Sequence, residues 1–123
     1  MLYLTMGLVL ETLHGLKVQA YLSVANEMRR LMWTLAHAHG TLLGVLNLGF
    51  AFTLRALPDL GSRSLASALF RGATILMPAG FLVGGIWVYS GDPGLGILLV
   101  PVGGVMLFIA VFLTAKAALG RNS

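Results

Sequence analysis

The stretch LMWTLAHAHGTLLGVLNLGFAFTLRAL, residues 31–57, decides the fold of this chain. A helix that crosses a membrane needs about 20 mostly apolar residues, because each residue adds ~1.5 Å against a hydrocarbon core of ~30 Å. The stretch meets that length, carries one charged residue, Arg55, near its end, and is stopped by Pro58 and Asp59. It is therefore predicted to be a membrane-spanning helix.

Three further runs satisfy the same criterion, over residues 2–24, 65–89 and 95–119. The connecting segments ANEMRR, PDLGSRS and SGDPG are short and rich in turn-forming residues. Short connections make consecutive helices antiparallel neighbours. The sequence therefore predicts an all-α fold, an integral membrane four-helix up-down bundle that forms a single transmembrane domain over residues 1–123.

The composition indicates a protein whose solvent is the lipid bilayer. The chain is 58% hydrophobic and 10% charged, with a mean hydropathy of +0.91, whereas a soluble domain is about 25% charged. It has no cysteine, which excludes disulfides, cysteine-ligated metals and thiol nucleophiles. The net charge of +4 comes from few residues. No basic patch with interleaved aromatic residues accompanies it, so nucleic-acid binding is not expected.

The lysines and arginines predict how the chain is oriented in a membrane. The end that holds both predicted termini carries Arg55, Arg63, Arg71, Lys116 and Arg121. The opposite end carries Arg29, Arg30 and, close to it, Lys17. Because cytoplasmic segments carry the excess of basic residues, both termini are expected in the cytoplasm, with the chain in a membrane such as the bacterial inner membrane.

Two of the three histidines, His37 and His39, lie one residue apart inside the apolar run. On a helical wheel His37 falls on a stripe of polar and small residues, and His39 falls on the opposite, bulky apolar stripe. The first stripe includes Thr34, Thr41 and Gly44, and the second includes Met32, Leu35, Leu43, Leu46 and Phe50. Polar and small residues face the interior of membrane bundles. His37 is therefore expected inside the bundle and His39 toward lipid or another subunit.

Small residues recur at every fourth position of the same run, at Ala36, Gly40 and Gly44. This spacing lets helix backbones approach closely in membranes. Gly40 and Gly44 are therefore predicted to lie at a helix interface beside His37, where they would also leave a slot for a flat macrocycle.

Glu11 and His14 form an E-x-x-H pair on the first predicted helix, which projects two possible metal ligands the same way. With the loop centred near residue 27, equal depth in the hairpin puts Glu11 and all three histidines in one slab near the bilayer midplane. A di-iron site fails on ligand count, because the chain's only other glutamate is Glu27. The set predicts a bound metal ion, a haem or a proton relay, or else histidines that simply hydrogen-bond neighbouring helices.

The segment HAHGTLLG, residues 37–44, resembles the H-x-H-x-x-L-x-G stretch of small membrane proteins similar to subunit I of haem–copper oxidases and nitric oxide reductases. The resemblance covers His37, His39, Leu42 and Gly44, and it implies that both histidines lie near haem or metal. A complete haem–copper centre needs more histidines and more spans than this chain has. The resemblance therefore implies at most one b-type haem, one metal ion, or a site completed by a partner chain.

The first predicted function is a haem- or metal-binding redox or accessory subunit of a membrane complex. Two neutral imidazoles from adjacent helices can hold a b-type haem, and His14 and His37 are the predicted ligands. Glu11 would orient His14 or join it on a metal, and Arg30 would pair with the haem propionates.

Two alternatives remain from the sequence. One is a structural, cofactor-free subunit of a larger membrane assembly, and the other is a small oligomeric ion or proton transporter that uses Glu11 and His14. No nucleophile, base and orienting group are arranged for catalysis, so a stand-alone enzyme is not expected. In every case the expected partners are the bilayer and other membrane subunits or further copies of the chain.

Overall fold

The computed structural model describes residues 1–58 and 63–120 of the chain. The predicted loop residues 59–62, together with Arg121 and the side chain of Arg63, lie outside the described residues. The described residues form five α-helices: α1 (Leu2–Gly15), α2 (Gln19–Leu22), α3 (Glu27–Ala56), α4 (Arg63–Ile86) and α5 (Leu99–Leu119). Two 3₁₀ helices, Val24–Asn26 and Leu95–Leu98, lead into α3 and α5. The predicted all-α class is confirmed.

Three helical segments are long and apolar enough to cross a membrane: Val24–Ala56, Ser64–Ile86 and Leu95–Leu119. They correspond to three of the four predicted spans. The last is the most apolar of the three. Most of its surface is exposed, including Val105, Phe108 and Phe112.

Helix α4 is the centre of the packing, with α3 on one side and α5 on the other. Phe50 of α3 packs there with Phe70 of α4, with 4.4 Å between the ring centroids. Two small residues, Ala66 and Ala110, complete this buried cluster. A second buried cluster, toward the other end of the helices, consists of Met32, Ala36 and Phe81.

The α4–α5 connection is a tight turn, as the sequence SGDPG predicts. Tyr89 and Asp92 exchange two backbone hydrogen bonds, of 3.0 and 2.8 Å. The two residues between them, Ser90 and Gly91, have φ values of 49° and 91°. Positive φ at both central positions is the geometry that best joins antiparallel segments through two residues.

The structure departs from the single helix predicted over residues 2–24, because α1 ends at Gly15. Lys17 adopts the left-handed region with φ of 52°. The Lys17 N–H donates to the carbonyl of His14, and the Val18 N–H donates to the carbonyl of Leu13. This pair of bonds is the Schellman arrangement that closes a helix. With 14 residues, α1 is ~21 Å long, shorter than the hydrocarbon core of ~30 Å.

The register between α1 and α3 also differs from the predicted one. A side chain at Gly7 would overlap the His37 ring, and a side chain at Gly40 would overlap the Tyr3 ring. Gly7 and His37 therefore lie at the same level of two antiparallel helices. His14 is seven residues after Gly7 and Arg30 is seven residues before His37, so His14 lies near the level of Arg30. The cause is the connector over residues 16–26, which takes up chain without lengthening either helix.

Candidate functional site: the histidines and the helix contacts around them

His37 joins α3 to α1. Its Nδ1 lies 2.7 Å from the Tyr3 carbonyl oxygen. Because a carbonyl can only accept a hydrogen bond, Nδ1 carries the proton and donates it. The Thr41 hydroxyl lies 3.5 Å from the same nitrogen. His37 therefore faces the neighbouring helix, but what it meets there is backbone and not a second histidine.

Two glycines make the α1–α3 contact possible. Gly7 is buried, and the space of its missing side chain is taken by the imidazole of His37. Gly40 is also buried, and its space is taken by the ring of Tyr3. Each helix thus inserts one ring over a glycine of the other. Gly40 lies at a helix interface as predicted, with the ring of Tyr3 over it.

His39 packs against α4. Its ring centroid lies 4.7 Å from that of Phe81, at an interplanar angle of 36°. Its Nδ1 donates to the Leu35 carbonyl of its own helix over 2.9 Å. The prediction that His39 faces lipid or another subunit is therefore wrong. The two histidines do diverge around α3, since one meets α1 and the other meets α4.

Most of the bulky stripe of α3 forms the interface with α4 and does not face lipid, although Leu46 on the same stripe is 39% exposed. Met32, Leu43 and Phe50 on that stripe are only 5%, 1% and 8% exposed. The small residues that receive them lie on α4: Ala66 packs with Phe50, and Gly85 lies against Met32. Small residues at helix interfaces let backbones approach closely, and here α4 supplies Ala66 and Gly85 while α3 supplies Ala36, which packs with Phe81.

Gly44 does not lie at a packed interface. A Cβ built there would meet no atom of the described residues within 4 Å. The residue instead lines an open groove of about 410 Å³ beside the start of α1, together with Tyr3, Gly40 and Leu48. His37 is not among the residues that line this groove. The predicted role of Gly44 in a close helix contact is therefore wrong.

Glu11 and His14 are exposed near the end of α1. From the observed register, His14 lies seven residues along the helix axis from the level of His37, which is ~10 Å. The predicted slab of three histidines at one depth is therefore not formed. Among the described residues, no group of three histidine or acidic side chains lies close enough to hold a metal ion.

Arg30 binds the connector that precedes α3. Its Nη1 donates to the carbonyls of Tyr21 and Ser23, over 2.9 and 2.8 Å. Its guanidinium also lies 5.9 Å from the centroid of the Tyr21 ring, within the range of a cation–π interaction. Arg30 was predicted to pair with haem propionates, and in the structure it holds the turn between α1 and α3.

Arg29, for which the sequence predicts only a place at this end of the helices, links the same connector to α4. Its Nε donates to the Gly85 carbonyl over 3.1 Å, and its Nη1 donates to the Asn26 side-chain oxygen over 2.7 Å. Trp33 also lies against Gly85, and its indole N–H is buried with no hydrogen-bond partner among the described residues. The sequence signal for the Arg29 contacts is the pair of adjacent arginines, Arg29 and Arg30, directly after a turn.

The sequence-based predictions also do not include a polar contact between Asn47 of α3 and Thr74 of α4. The Asn47 amide donates to the Thr74 hydroxyl across the interface and to the Leu43 carbonyl of its own helix. The Thr74 hydroxyl in turn donates to the Phe70 carbonyl over 2.8 Å. A lone asparagine in an apolar helix is the signal for such a contact, since its amide needs partners away from water.

Comparison with known proteins does not assign the chain to a family. No family model matches it, and no curated protein or solved structure shows significant similarity to it.

Proposed function

We propose that this chain is a small polytopic membrane protein that acts as a structural subunit of a membrane assembly, inserted through α3, α4 and α5. The observation that carries the proposal is that His37 connects α3 to α1. Its proton is donated to the Tyr3 carbonyl, and its ring fills the notch at Gly7. A side chain engaged in this way holds two helices together.

The surface of α5 supports insertion in lipid. Phe108 is 73% exposed, Val105 is 59% exposed and Phe112 is 57% exposed. A large contiguous apolar surface on a protein marks contact with a membrane or with a partner. A bilayer, or the apolar face of another subunit, covers these side chains in the proposed state.

The histidines separate a structural role from a cofactor role in one experiment. We expect the detergent-purified chain to show no Soret band and no stoichiometric metal. His37→Ala removes a part-buried hydrogen bond and a packed ring, so thermal stability is expected to fall by about 1–3 kcal/mol. His14→Ala is the matched control, because that side chain is exposed, and it is expected to leave the stability unchanged. A Soret band that disappears in His37→Ala would contradict the structural proposal.

One observation favours haem or metal binding as a second candidate function. In both His37 and His39, Nδ1 faces a backbone carbonyl, so the lone pair of the neutral ring is on Nε2. This is the tautomer in which metal-bound histidines are commonly held. Because the two rings face different helices, one chain would supply one ligand per site, and a partner chain would complete the set. The same optical spectrum and metal analysis test this candidate.

A further inference from the structure

Arg29 and Arg30 place two positive charges at the start of α3 whose protein partners are all neutral. Those partners are the carbonyls of Gly85, Tyr21 and Ser23 and the amide oxygen of Asn26. A guanidinium has five N–H donors. Arg29 uses Nε and Nη1, and Arg30 uses Nη1 alone, so Nη2 of each remains without a partner among the described residues.

No described carboxylate forms an ion pair with either arginine. Glu27, the nearest one in the chain, lines a different groove with Met28 and Val88. The N-terminal end of a helix also carries partial positive charge. Glu27 in the first turn of α3 offsets that partial charge, whereas the two guanidinium charges have no ionic partner among the described residues. Hydrogen bonds to the connector and to Gly85 hold both arginines in place.

An apolar groove begins beside these charges. A recess of about 310 Å³ is lined by both arginines and by Val18, Tyr21 and Trp33. A second groove, of about 370 Å³, meets the recess at Leu13 and Trp33. The second groove follows α1 and is otherwise lined by Leu2, Thr5, Met6, Val9, Leu10 and Leu82.

The groove has the length of one bilayer leaflet. From Leu13 to Leu2 the helix rises ~16 Å, and half of a hydrocarbon core is ~15 Å. The charges lie at the outer end of the groove, where α3 begins, and the far end reaches toward the middle of α3. A ligand that matches this arrangement has an anionic head and an apolar tail one leaflet long.

We propose that this surface binds an anionic glycerophospholipid. The lipid phosphate accepts hydrogen bonds from Nη2 of Arg29 and Arg30, and one acyl chain lies in the groove along α1. The proposal rests on the proposed function in one respect, that the chain is inserted in a membrane. A bound anionic lipid explains why the two arginines lie beside an apolar groove without carboxylate partners.

The test compares retention of two lipids with equal acyl chains, phosphatidylglycerol and phosphatidylcholine, by the detergent-purified chain in native mass spectrometry. We expect a clear preference for phosphatidylglycerol, and Arg30→Gln to lower its affinity about fivefold. Arg55→Gln, at the other end of α3, is the charge-matched control and is expected to have no effect. Val9→Trp fills the groove without touching the connector and is expected to abolish retention, whereas Val105→Trp on α5 is expected to leave it unchanged.

Equal retention of the two lipids would overturn the proposal, as would an equal loss in Arg55→Gln and Arg30→Gln. Displacement of the lipid by glycerol phosphate at equal concentration would also overturn it, since the acyl chain would then contribute nothing. Alkaline membrane extraction, done first, separates the two proposals. Recovery of the chain in the soluble fraction contradicts membrane insertion itself, whereas a membrane-bound chain without lipid preference contradicts the lipid site alone.

Discussion

Glycine has opposite structural roles at Gly7 and Gly44, although both residues lie inside helices. At Gly7 the missing side chain is what allows His37 to reach the Tyr3 carbonyl, because any Cβ would overlap the imidazole. At Gly44 no atom of another helix in the described part of the chain lies within 4 Å of the position a Cβ would take. The identity of the residue is the same, and only the neighbouring helix distinguishes the two positions.

Gly7→Ala is expected to lower the free energy of unfolding by about 1–3 kcal/mol, because the added methyl group displaces a packed ring. Gly44→Ala makes the same chemical change at an open position. It is expected to be neutral, or stabilising by up to about 1 kcal/mol, since alanine favours the helix. Thermal unfolding in one detergent compares the two variants. Equal shifts would show that α1 does not pack on α3 through Gly7.

At the scale of elements, the length of α1 depends on one left-handed residue. Lys17 has φ of 52°, a conformation that costs a non-glycine residue about 1–2 kcal/mol. The hydrogen bonds from Lys17 and Val18 that close α1 offset part of this cost. The chain then turns into the connector that Arg29 and Arg30 hold. The left-handed position falls on Lys17 and not on Gly15, so the usual signal of a glycine at that position is absent, which is why a longer helix was predicted.

Lys17→Gly is expected to stabilise the fold by about 1 kcal/mol, because glycine adopts the left-handed conformation without steric cost. Lys17→Val is expected to destabilise it, since a β-branched residue resists that conformation. Thermal unfolding of the two variants and the parent chain in one detergent measures both changes in stability. A loss of stability in Lys17→Gly would contradict this helix end.

The contact between Asn47 and Thr74 is a hydrogen bond between side chains of α3 and α4. A double-mutant cycle with Asn47→Leu and Thr74→Val is expected to give a coupling energy of about 0.6 kcal/mol, a usual value for hydrogen bonds between membrane helices. Thr53 is the matched control, because among the described residues its hydroxyl donates to the Gly49 carbonyl of its own helix and to no other helix. Pairing Asn47→Leu with Thr53→Val is expected to give no coupling. Similar coupling in both cycles would argue against the cross-helix bond.

At the scale of the whole molecule, α3, α4 and α5 alternate in direction, and α1 covers only the first part of α3. The described residues thus have two ends. Ser23 and Ser90 lie at the end where α3 begins, and Ala56 and Leu119 lie at the other. By chain position Arg55, Arg63, Arg71, Lys116 and Arg121 belong to the half that holds the second end, against Lys17, Arg29 and Arg30 at the first. This excess of basic residues is the reason to expect the second end on the cytoplasmic side.

The absence of native cysteine makes this arrangement directly testable. Single cysteines at Ser23 and Ser90 are expected to react with a membrane-impermeant maleimide from the same side. Cysteines at Ala56 and Leu119 are expected to react only from the opposite, cytoplasmic side. Labelling of Ser23→Cys and Ala56→Cys from one side in intact cells would exclude a membrane-spanning α3.

The sequence by itself determined the helical class, the extent of the three long apolar helices and the tight turn at Ser90 and Gly91, because hydropathy, length and turn chemistry are local properties. Only the tertiary structure decided the register of α1 and the neighbours of His37 and His39. The register of α1 on α3 depends on the length of the connector between them. That length follows from the left-handed conformation of Lys17, which ends α1 and which the sequence does not indicate. Which helix each face of α3 contacts depends on small residues of its neighbours, Gly7 on α1 and Ala66 and Gly85 on α4, and these lie far from α3 in the chain.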